Sequence, residues 1–242
     1  MKVWREVEEA LEEIIEEYEK VNHVISLFQD EKIRRRGLEV AGPHRGVGLE
    51  IGSGPGNFTS MLQTQIEGSL VCLDYSAEML SAARTRVKRG GVSFVRGIFE
   101  ALPFRPGIMV FAGAAYALRD STDKLGVLKG IHRTLRDRGR FLIIDIGKPR
   151  NRLVRGFFSL YMRYAVPIMG GMVGGYGISN PWRLLFKTYE LLPTNGELSN
   201  MLRTTFGSAK LEEHTLGGLI VAVADKTTEK PPPHSDFPGC TS

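Results

Sequence analysis

The chain has 242 residues, a formal net charge of +5 and 42% hydrophobic residues, which fits one large α/β domain. No apolar run reaches the roughly 18 residues of a membrane span, the acidic N-terminus is unlike a secretory signal, and two cysteines without a pairing pattern favour a reducing compartment. We therefore expect a cytoplasmic protein, with contact at a membrane surface still open, and the absence of an aromatic-and-basic stripe argues against nucleic acid.

The two ends of the chain differ from its centre. Apolar residues at steps of three and four predict a helix over 3–20, and we expect residues 1–42 to form an N-terminal helical segment ahead of the main domain, 43–226. Gly42-Pro43 marks the boundary. Residues 227–242 carry three consecutive prolines and no apolar periodicity, which predicts a disordered tail.

A glycine-rich stretch, V-G-L-E-I-G-S-G-P-G-N-F-T at 47–59, organises the domain. It predicts a buried parallel strand, a tight turn and the start of a helix. Glycines lack Cβ and so let a ligand approach the backbone closely. A second predicted strand over 69–73 ends in Asp74, and an acid at this place in a βαβ unit can bind ribose hydroxyls.

The glycine spacing separates two classes of nucleotide-binding protein. Nicotinamide-binding folds use G-x-G-x-x-G, whereas the glycines here are Gly52, Gly54 and Gly56, preceded by Glu50. This G-x-G-x-G resembles motif I of class I S-adenosylmethionine (SAM) methyltransferases. A nicotinamide dehydrogenase is thus disfavoured, and an ordinary strand-to-helix turn is the alternative interpretation.

Strands and helices alternate through the rest of the domain, which predicts an α/β fold with a parallel sheet. The predicted helices cover 77–89, with Ser76 as N-cap, 122–136, with Leu125, Leu128, Ile131 and Leu135 on one face, and 198–206. The later strands are predicted at 92–95, 108–111, 141–144, 209–214 and 219–224. Residues 150–190, rich in Phe, Tyr, Met, Gly and Arg, interrupt the alternation and predict a helical lid insertion.

Several motifs in order resemble the ubiquinone/menaquinone-biosynthesis C-methyltransferase family over roughly residues 18–226. They are E-A-L-P-F at 100–104, L-R-D at 118–120 for the family's L-R-N, H-R-T-L-R-D-R-G-R at 132–140 for Y-R-V-L-K-P-G-G-R, D-I-G-K-P at 145–149 for E-F-S-K-P, and L-G-G-L-I-V-A at 216–222 for T-G-G-I-V-A-L. The resemblance implies a Rossmann-like, seven-stranded, mostly parallel sheet with its last strand antiparallel. It also implies SAM-dependent methylation of a ring carbon on a prenylated quinol precursor, and no metal.

The predicted cofactor residues lie in and after the glycine turn. We expect close backbone approach at Gly52, Ser53, Gly54 and Gly56, ribose binding by Asp74, adenine contacts from Tyr75 and Met79, and a backbone contact from Phe99. Glu50 has two interpretations: it anchors the methionine amino group of SAM, or it is a capped acid that stabilises the turn. Ile98 stands where relatives carry Asp or Asn toward the adenine, so that contact is lost or replaced.

Three residues are candidates for chemistry on the acceptor. Arg119 would stabilise a developing phenolate, and Asp120 would orient it or accept a proton; the alternative is a surface arginine beside a helix-capping aspartate. His23 stands where relatives carry the aspartate of N-D-x-M-S-L, here N-H-V-I-S-L, and histidine suits a base near neutral pH, although a structural role is the alternative. The family's next motif, G-x-H-R, is replaced by F-Q-D-E at 28–31, which puts the identity of the acceptor in question.

The 150–190 insertion is expected to cover the acceptor, because its aromatics and methionines suit a flat ring and an apolar tail. Tyr164, Tyr176 and Tyr189 are candidate donors to a quinol oxygen. The same segment also fits a homodimer surface or peripheral membrane contact. Two other functions stay open: methylation of another small apolar molecule, and SAM binding without catalysis.

Overall fold

The computed structural model describes residues 18–88, 90–175 and 180–227. Most of the helix predicted over 3–20 lies outside these residues, as do Tyr176, Cys240 and all but the first residue of the predicted tail. The described chain begins with α1 (Tyr18–Ile25) and α2 (Asp30–Ala41). Among the described residues, no helix is both long and apolar enough to cross a lipid bilayer.

Seven strands form one sheet in the order β3-β2-β1-β4-β5-β7-β6. Neighbours from β3 to β5 pair in parallel, and β7 runs antiparallel between β5 and β6, which confirms the expected class I methyltransferase sheet. The strands are β1 (His44–Ile51), β2 (Ile66–Asp74), β3 (Val92–Arg96), β4 (Met109–Ala115), β5 (Leu135–Ile146), β6 (Gly207–His214) and β7 (Leu219–Lys226).

The helices that flank the sheet are α3 (Asn57–Leu62), α4 (Ala77–Arg86), α5 (Lys124–Thr134) and α9 (Asn195–Phe206). Ser76 caps α4 as predicted, because its hydroxyl accepts the Met79 N–H at 3.1 Å. The predicted apolar face of α5 was wrong at both ends. Leu125 is 41% exposed and Leu135 opens β5, whereas Val127 supplies the buried position instead.

The core lies on both faces of the sheet. On one face α2 and α3 bury Ile33, Leu38 and Phe58 against Leu142 and Ile144. On the other, α5 and α9 pack against the same strands through residues that include Val127, Ile131, Leu202 and Phe206. Helices on both faces explain why the central strands read as continuous apolar runs.

The predicted helical insertion forms α6 (Arg152–Leu160), a π-helical turn (Tyr161–Ala165), α7 (Val166–Gly174) and α8 (Leu184–Glu190). These elements pack against α1 in a separate small cluster that contains Val21, Met162, Val166, Trp182 and Tyr189. Ile146, the last residue of β5, touches this cluster. The insertion and α1 therefore stand over the carboxyl end of the sheet, where ligands bind in open α/β folds.

Candidate active site

The three glycines of the turn serve three different purposes. All have positive φ, which favours glycine: 63° at Gly52, 52° at Gly54 and 86° at Gly56. A Cβ on Gly52 would collide with the Ala117 side chain, and one on Gly56 would lie 3.2 Å from Ala83 Cα on α4. A Cβ on Gly54 would meet no described atom within 4 Å, so Gly54 is the glycine that faces open space.

The N–H groups of the turn are bonded within the protein. Gly52 and Ser53 donate to the Leu73 carbonyl at 2.8 and 3.2 Å, and Gly54 donates to Asp74 Oδ2 at 2.7 Å. Free N–H groups are therefore not what these three residues offer a ligand. The turn instead holds the tips of β1 and β2 together and presents a surface without side chains at Gly54.

Asp74 lies at the end of β2 beside that surface. Its two carboxylate oxygens accept the Gly54 N–H and, at 3.0 Å, the Ser76 N–H. Burial raises its pKa, and these backbone bonds oppose the rise. A carboxylate has about four lone-pair positions, and Tyr75 adds a third backbone bond to Asp74, so room remains for a ligand hydroxyl.

Ser53 completes this crevice with a buried hydroxyl. The residue is 5% exposed, and its Oγ has no hydrogen-bond partner in the described part of the chain. A buried hydroxyl without a partner is costly, so a polar ligand group is the natural partner for it. The sequence predicted Ser53 only as part of the turn and gave no sign of this open bond.

The predicted adenine contacts fall on residues with unlike surroundings. Tyr75 is 48% exposed and its ring lies 5.7 Å from the Arg96 guanidinium, whereas Met79 is 4% exposed inside α4. The half-buried Phe99 ring stands beside the glycine turn, 3.5 Å from where a Gly52 Cβ would be. Ile98 is 43% exposed next to it, so an apolar side chain borders this end of the crevice.

Glu50 lies below the crevice. It is 1% exposed, and its carboxylate accepts a hydrogen bond from the Cys72 thiol at 3.6 Å. Burial raises the pKa of Glu50 to about 7, opposed by hydrogen bonds from Thr59 and Cys72. These contacts support the second interpretation of Glu50, an acid that stabilises the turn from within.

A cavity of about 80 Å³ lies between the sheet and the helical insertion. Its wall combines residues that are distant in sequence: Asn22, Ile25, Ser26, Leu27, Asp30, Arg34, Tyr116, Arg119, Ile146, Phe158, Tyr161, Met162, Val166, Leu185, Thr215, Gly218 and Leu219. Most are apolar, and the charged ones come only from α2 and the turn after β4. We call this the acceptor cavity.

Arg119 is the charged candidate that the structure places in the cavity wall. It is 5% exposed, and its Nε lies 3.4 Å from Asp120 Oδ1. Its backbone N–H donates to Asp145 Oδ2 at 3.1 Å. The cap of α5 is Asp123, which accepts the Gly126 N–H at 2.9 Å, so the alternative of a surface arginine beside a capping Asp120 was wrong.

Of the two carboxyls next to Arg119, that of Asp145 is buried and that of Asp120 is largely covered, with its side chain 19% exposed. Burial raises the pKa of Asp120, and Arg119 opposes that rise. Burial also raises the pKa of Asp145 to about 6, again opposed by Arg119. The positive charge of Arg119 therefore favours the ionised form of both acids.

Tyr116 is a cavity residue that the sequence analysis missed. Its phenol oxygen is buried without a hydrogen-bond partner among the described residues, and burial raises the pKa of the phenol. Its ring lies 5.2 Å from the Arg34 guanidinium and 5.9 Å from that of Arg119. Its φ of 59° is positive, which is uncommon for a bulky residue and often marks a functional site.

His23 is not part of the cavity wall but contacts a residue that is. Its Nδ1 is 2.7 Å from Asp30 Oδ1, and it is Asp30 that lines the cavity. Asp30 is 5% exposed and also accepts bonds from Ser26 Oγ at 3.2 Å and Arg34 at 3.1 Å. The sequence pointed to position 23 through the family motif, but Asp30 appeared there only as a departure.

Among the predicted tyrosines, Tyr164 is 55% exposed and Tyr189 is 2% exposed, and neither belongs to the cavity wall. The insertion contributes Tyr161 instead. Its hydroxyl donates to the Ile25 carbonyl at 2.8 Å, which ties the insertion to the end of α1.

The crevice fits the ligand that its motifs imply. An open Gly54, an unpaired Ser53 hydroxyl and an acid with free lone pairs match a ribose and a methionine moiety. With a sheet of this order and a cavity beside it, these features define a class I SAM-dependent methyltransferase. When bound, SAM supplies a methyl group on a positively charged sulfur.

Comparison with known proteins gives the family. The model of the ubiE/COQ5 methyltransferase family matches residues 2–226, and the chain belongs to this family. It is 28% identical to a demethylmenaquinone methyltransferase of Lactococcus lactis over 232 residues, 93% of this chain and 91% of that protein. It is also 28% identical to a ubiquinone/menaquinone biosynthesis C-methyltransferase of Hahella chejuensis, over 81% of each chain.

The fold has solved counterparts as well. A SAM-dependent methyltransferase from Thermotoga maritima matches with a TM-score of 0.66 and 19% identity, over 91% of this chain and all of that one. At this identity the likeness concerns the fold. It agrees with the α/β fold of this chain.

Proposed function

We propose that the protein transfers the methyl group of SAM to a ring carbon of a prenylated quinol precursor of the ubiquinone or menaquinone type. The observation that carries this proposal is the acceptor cavity, whose wall is mostly apolar and carries three charged residues, Asp30, Arg34 and Arg119. Both named relatives act in quinone biosynthesis or on demethylmenaquinone. The cavity is smaller than the ~150 Å³ that holds benzene in a protein interior, so its flexible walls, among them Met162, have to move outward around a ring.

The chemistry at a ring carbon requires electron density on that carbon. Loss of the hydroxyl proton gives a phenolate, which makes the neighbouring carbon nucleophilic. That carbon would form a bond to the methyl group that SAM supplies, and the sulfur would keep the electron pair of the broken bond. The ring hydrogen would then leave as a proton, and the ring oxygen would take a proton back. The net products are the methylated quinol, S-adenosylhomocysteine and one proton.

We assign the stabilisation of the phenolate to Arg119, with Asp120 orienting its guanidinium at the 3.4 Å contact. A fixed cation in a site that excludes water acts strongly on developing charge. Tyr116 supplies a second polar contact, because its buried hydroxyl has no partner among the described residues and can donate to a ring oxygen. Both groups are held in place before the acceptor arrives.

We assign the removal of the hydroxyl proton to His23 together with Asp30. The carboxylate lines the cavity and the imidazole lies behind it, with its side chain 43% exposed to solvent. The pair therefore connects the cavity to water, where the proton ends. The contact between His23 Nδ1 and Asp30 Oδ1 at 2.7 Å joins the two groups.

On the cofactor side, we assign the ribose to Asp74, the open backbone to Gly54, and the free hydroxyl to Ser53. Gly52 and Gly56 permit the turn, and Tyr75 and Phe99 border the adenine end of the crevice. Met79 supports that end from inside α4. Glu50 keeps the turn in shape below.

A turnover assay tests the reaction. The protein is incubated with SAM and a reduced, demethylated quinol with a short tail, and the methylated ring is measured by mass spectrometry. We expect turnover that falls about tenfold or more in His23→Ala, since a positioned base contributes at least that much, while the thermal shift given by SAM is unchanged. Unchanged turnover in His23→Ala would remove the histidine from the mechanism.

The same assay separates the other functions. A thermal shift with SAM but no product from any quinol favours methylation of another small apolar molecule, or SAM binding without catalysis. Stabilisation by NAD alone contradicts the cofactor assignment. Localisation at the membrane periphery and a homodimer are two further proposals for the insertion. Its exposed apolar side chains and basic residues favour the membrane.

A further inference from the structure

Large apolar side chains remain exposed along one side of the helical segment 152–174. They recur every three or four residues and are between 52% and 86% exposed: Leu153, Phe157, Leu160, Tyr164, Ile168 and Met172. Helical spacing places them on one side, over a length of about 28 Å at the usual rise per residue. We call this set the apolar stripe.

The exposure of the stripe does not result from poor packing of the segment. The other side of the same segment is well covered, with Met162 and Val166 packed against Val21 and Trp182. In α6, all nine residues of which are described, no residue is buried. A helix of this kind, strongly amphipathic and outside the core, is typical of one that lies in a membrane interface.

The charged residues of the chain segment that carries the stripe all have the same sign. From residue 146 to residue 189 the chain contains no Asp or Glu and seven Lys or Arg: Lys148, Arg150, Arg152, Arg155, Arg163, Arg183 and Lys187. The excess of +7 is larger than the net charge of the whole chain, +5. Arg152 and Arg163, which flank the stripe, are both exposed.

This charge distinguishes the two occupants that an apolar face can have. In a two-fold homodimer the same surface meets itself, which would bring the arginines of both copies together with no acid from segment 146–189 to balance them, and like charges across an interface are costly. An anionic lipid surface instead attracts each basic residue. Apolar side chains in the acyl region and arginines at the phosphates fit both features at once.

The stripe lies on the same segment as the wall of the acceptor cavity. Phe158 and Tyr161 line the cavity, and they alternate along the helix with Phe157 and Leu160 of the stripe. Leu27, which lines the cavity and is 52% exposed, reaches the protein surface as well. A ligand with a long apolar tail can thus keep the tail in lipid while its ring occupies the cavity.

We infer that the apolar stripe and its flanking arginines dock the protein on anionic phospholipid membranes, with the acceptor cavity next to the bilayer. The delivery of the acceptor from the bilayer rests on the proposed function; the binding to lipid does not. The stripe enters the outer acyl region without spanning the membrane, and salt weakens the attraction because exposed charges are screened.

The experiment is flotation of the full chain with vesicles of phosphatidylglycerol and phosphatidylcholine, and with vesicles of phosphatidylcholine alone. We expect binding to the anionic vesicles that falls with added salt. Leu153→Ser/Phe157→Ser/Ile168→Ser should weaken it at least tenfold, and Arg152→Gln or Arg163→Gln about fivefold each. The matched control for Ile168→Ser is Ile108→Ser, since Ile108 is 43% exposed but lies at the amino end of β4, away from the stripe.

The outcomes separate cleanly. Equal binding to both vesicle types, no binding to either, or equal loss in the Ile108 and Ile168 variants overturns the inference. So does a dimer in analytical ultracentrifugation that dissociates in the triple variant, because the stripe is then a contact between copies. The SAM-induced thermal shift confirms that each variant is folded, and turnover of a short-tailed quinol by the wild-type protein tests the reaction independently of lipid.

Discussion

The SAM crevice is built mainly from backbone within a short stretch of chain, whereas the acceptor cavity is built from side chains that are distant in sequence. Gly54, Ser53 and Asp74 are fixed by two neighbouring strands whose registers are paired residue by residue. The wall of the cavity runs from Asn22 to Leu219. The first kind of site leaves a motif in the sequence, and the second leaves almost none.

The difference also has consequences for how each half tolerates change. The crevice depends on positive φ values and on N–H groups that are already bonded, so its shape is set before a ligand binds. The cavity depends on buried charges, Arg119 and Asp30 among them, and some of their partners come from other elements, such as Asp145 of β5 and His23 of α1. Substitutions in the two halves should therefore have separable effects on SAM binding and on turnover.

The largest effect is expected for Arg119→Ala. Loss of a cation that stabilises the developing phenolate should lower kcat by about 10²–10³-fold, with the dissociation constant of SAM little changed, as measured by single-turnover kinetics and calorimetry. Arg119→Lys keeps the charge next to Asp120 and serves as the control for folding, and it should recover part of the rate. An equal loss of SAM affinity and of kcat would show that the crevice and the cavity are not independent, which would contradict the separation of the two sites.

The next effect concerns the acid beneath the crevice. The pKa of Glu50 is raised by burial to about 7, so the folded state binds its proton more tightly than the unfolded state does. The free energy of unfolding should therefore fall as pH rises from about 4.5 to about 7, by at most about 3 kcal/mol from this group. Glu50→Gln should remove this part of the pH dependence in denaturant titrations.

The control for that experiment is Glu67→Gln. Glu67 is an exposed acid at the other end of the same strand pair, with its side chain 73% exposed, and its replacement should leave the profile as it is. An unaltered pH dependence in Glu50→Gln would show that the turn does not hold a costly buried charge.

The smallest effect is expected for Asp74→Asn. The amide can still accept one backbone N–H but loses the charged bonds to the ribose, so SAM should bind about 10–100-fold more weakly, as measured by calorimetry. The kcat at saturating SAM should stay close to that of the wild-type protein, since the acceptor cavity is untouched. A fall in kcat without a change in SAM affinity would contradict the assignment of Asp74 to the SAM crevice.

The sequence by itself determined the α/β alternation, the glycine turn and the place of Asp74 after the second strand, because strand and helix periodicity and the need for positive φ are local properties of the chain. The seven-stranded sheet was implied by the resemblance to the family. The sequence also predicted a helical insertion over 150–190 and pointed to Arg119. The burial of Arg119 and its contacts with Asp120 and Asp145 came only from the structure. The ends of α5 were misplaced, since an apolar residue at helical spacing does not say whether a neighbour covers it.

Only the tertiary structure decided which side chains meet. Tyr116 carries no motif, and its place beside Arg34 of α2 and Arg119 depends on how these elements pack. Asp30 is a departure from the family motif in sequence and a partner of His23 in space. Contacts between residues a hundred positions apart depend on how whole elements pack. The periodicity of a sequence predicts each helix or strand but not which other element it packs against.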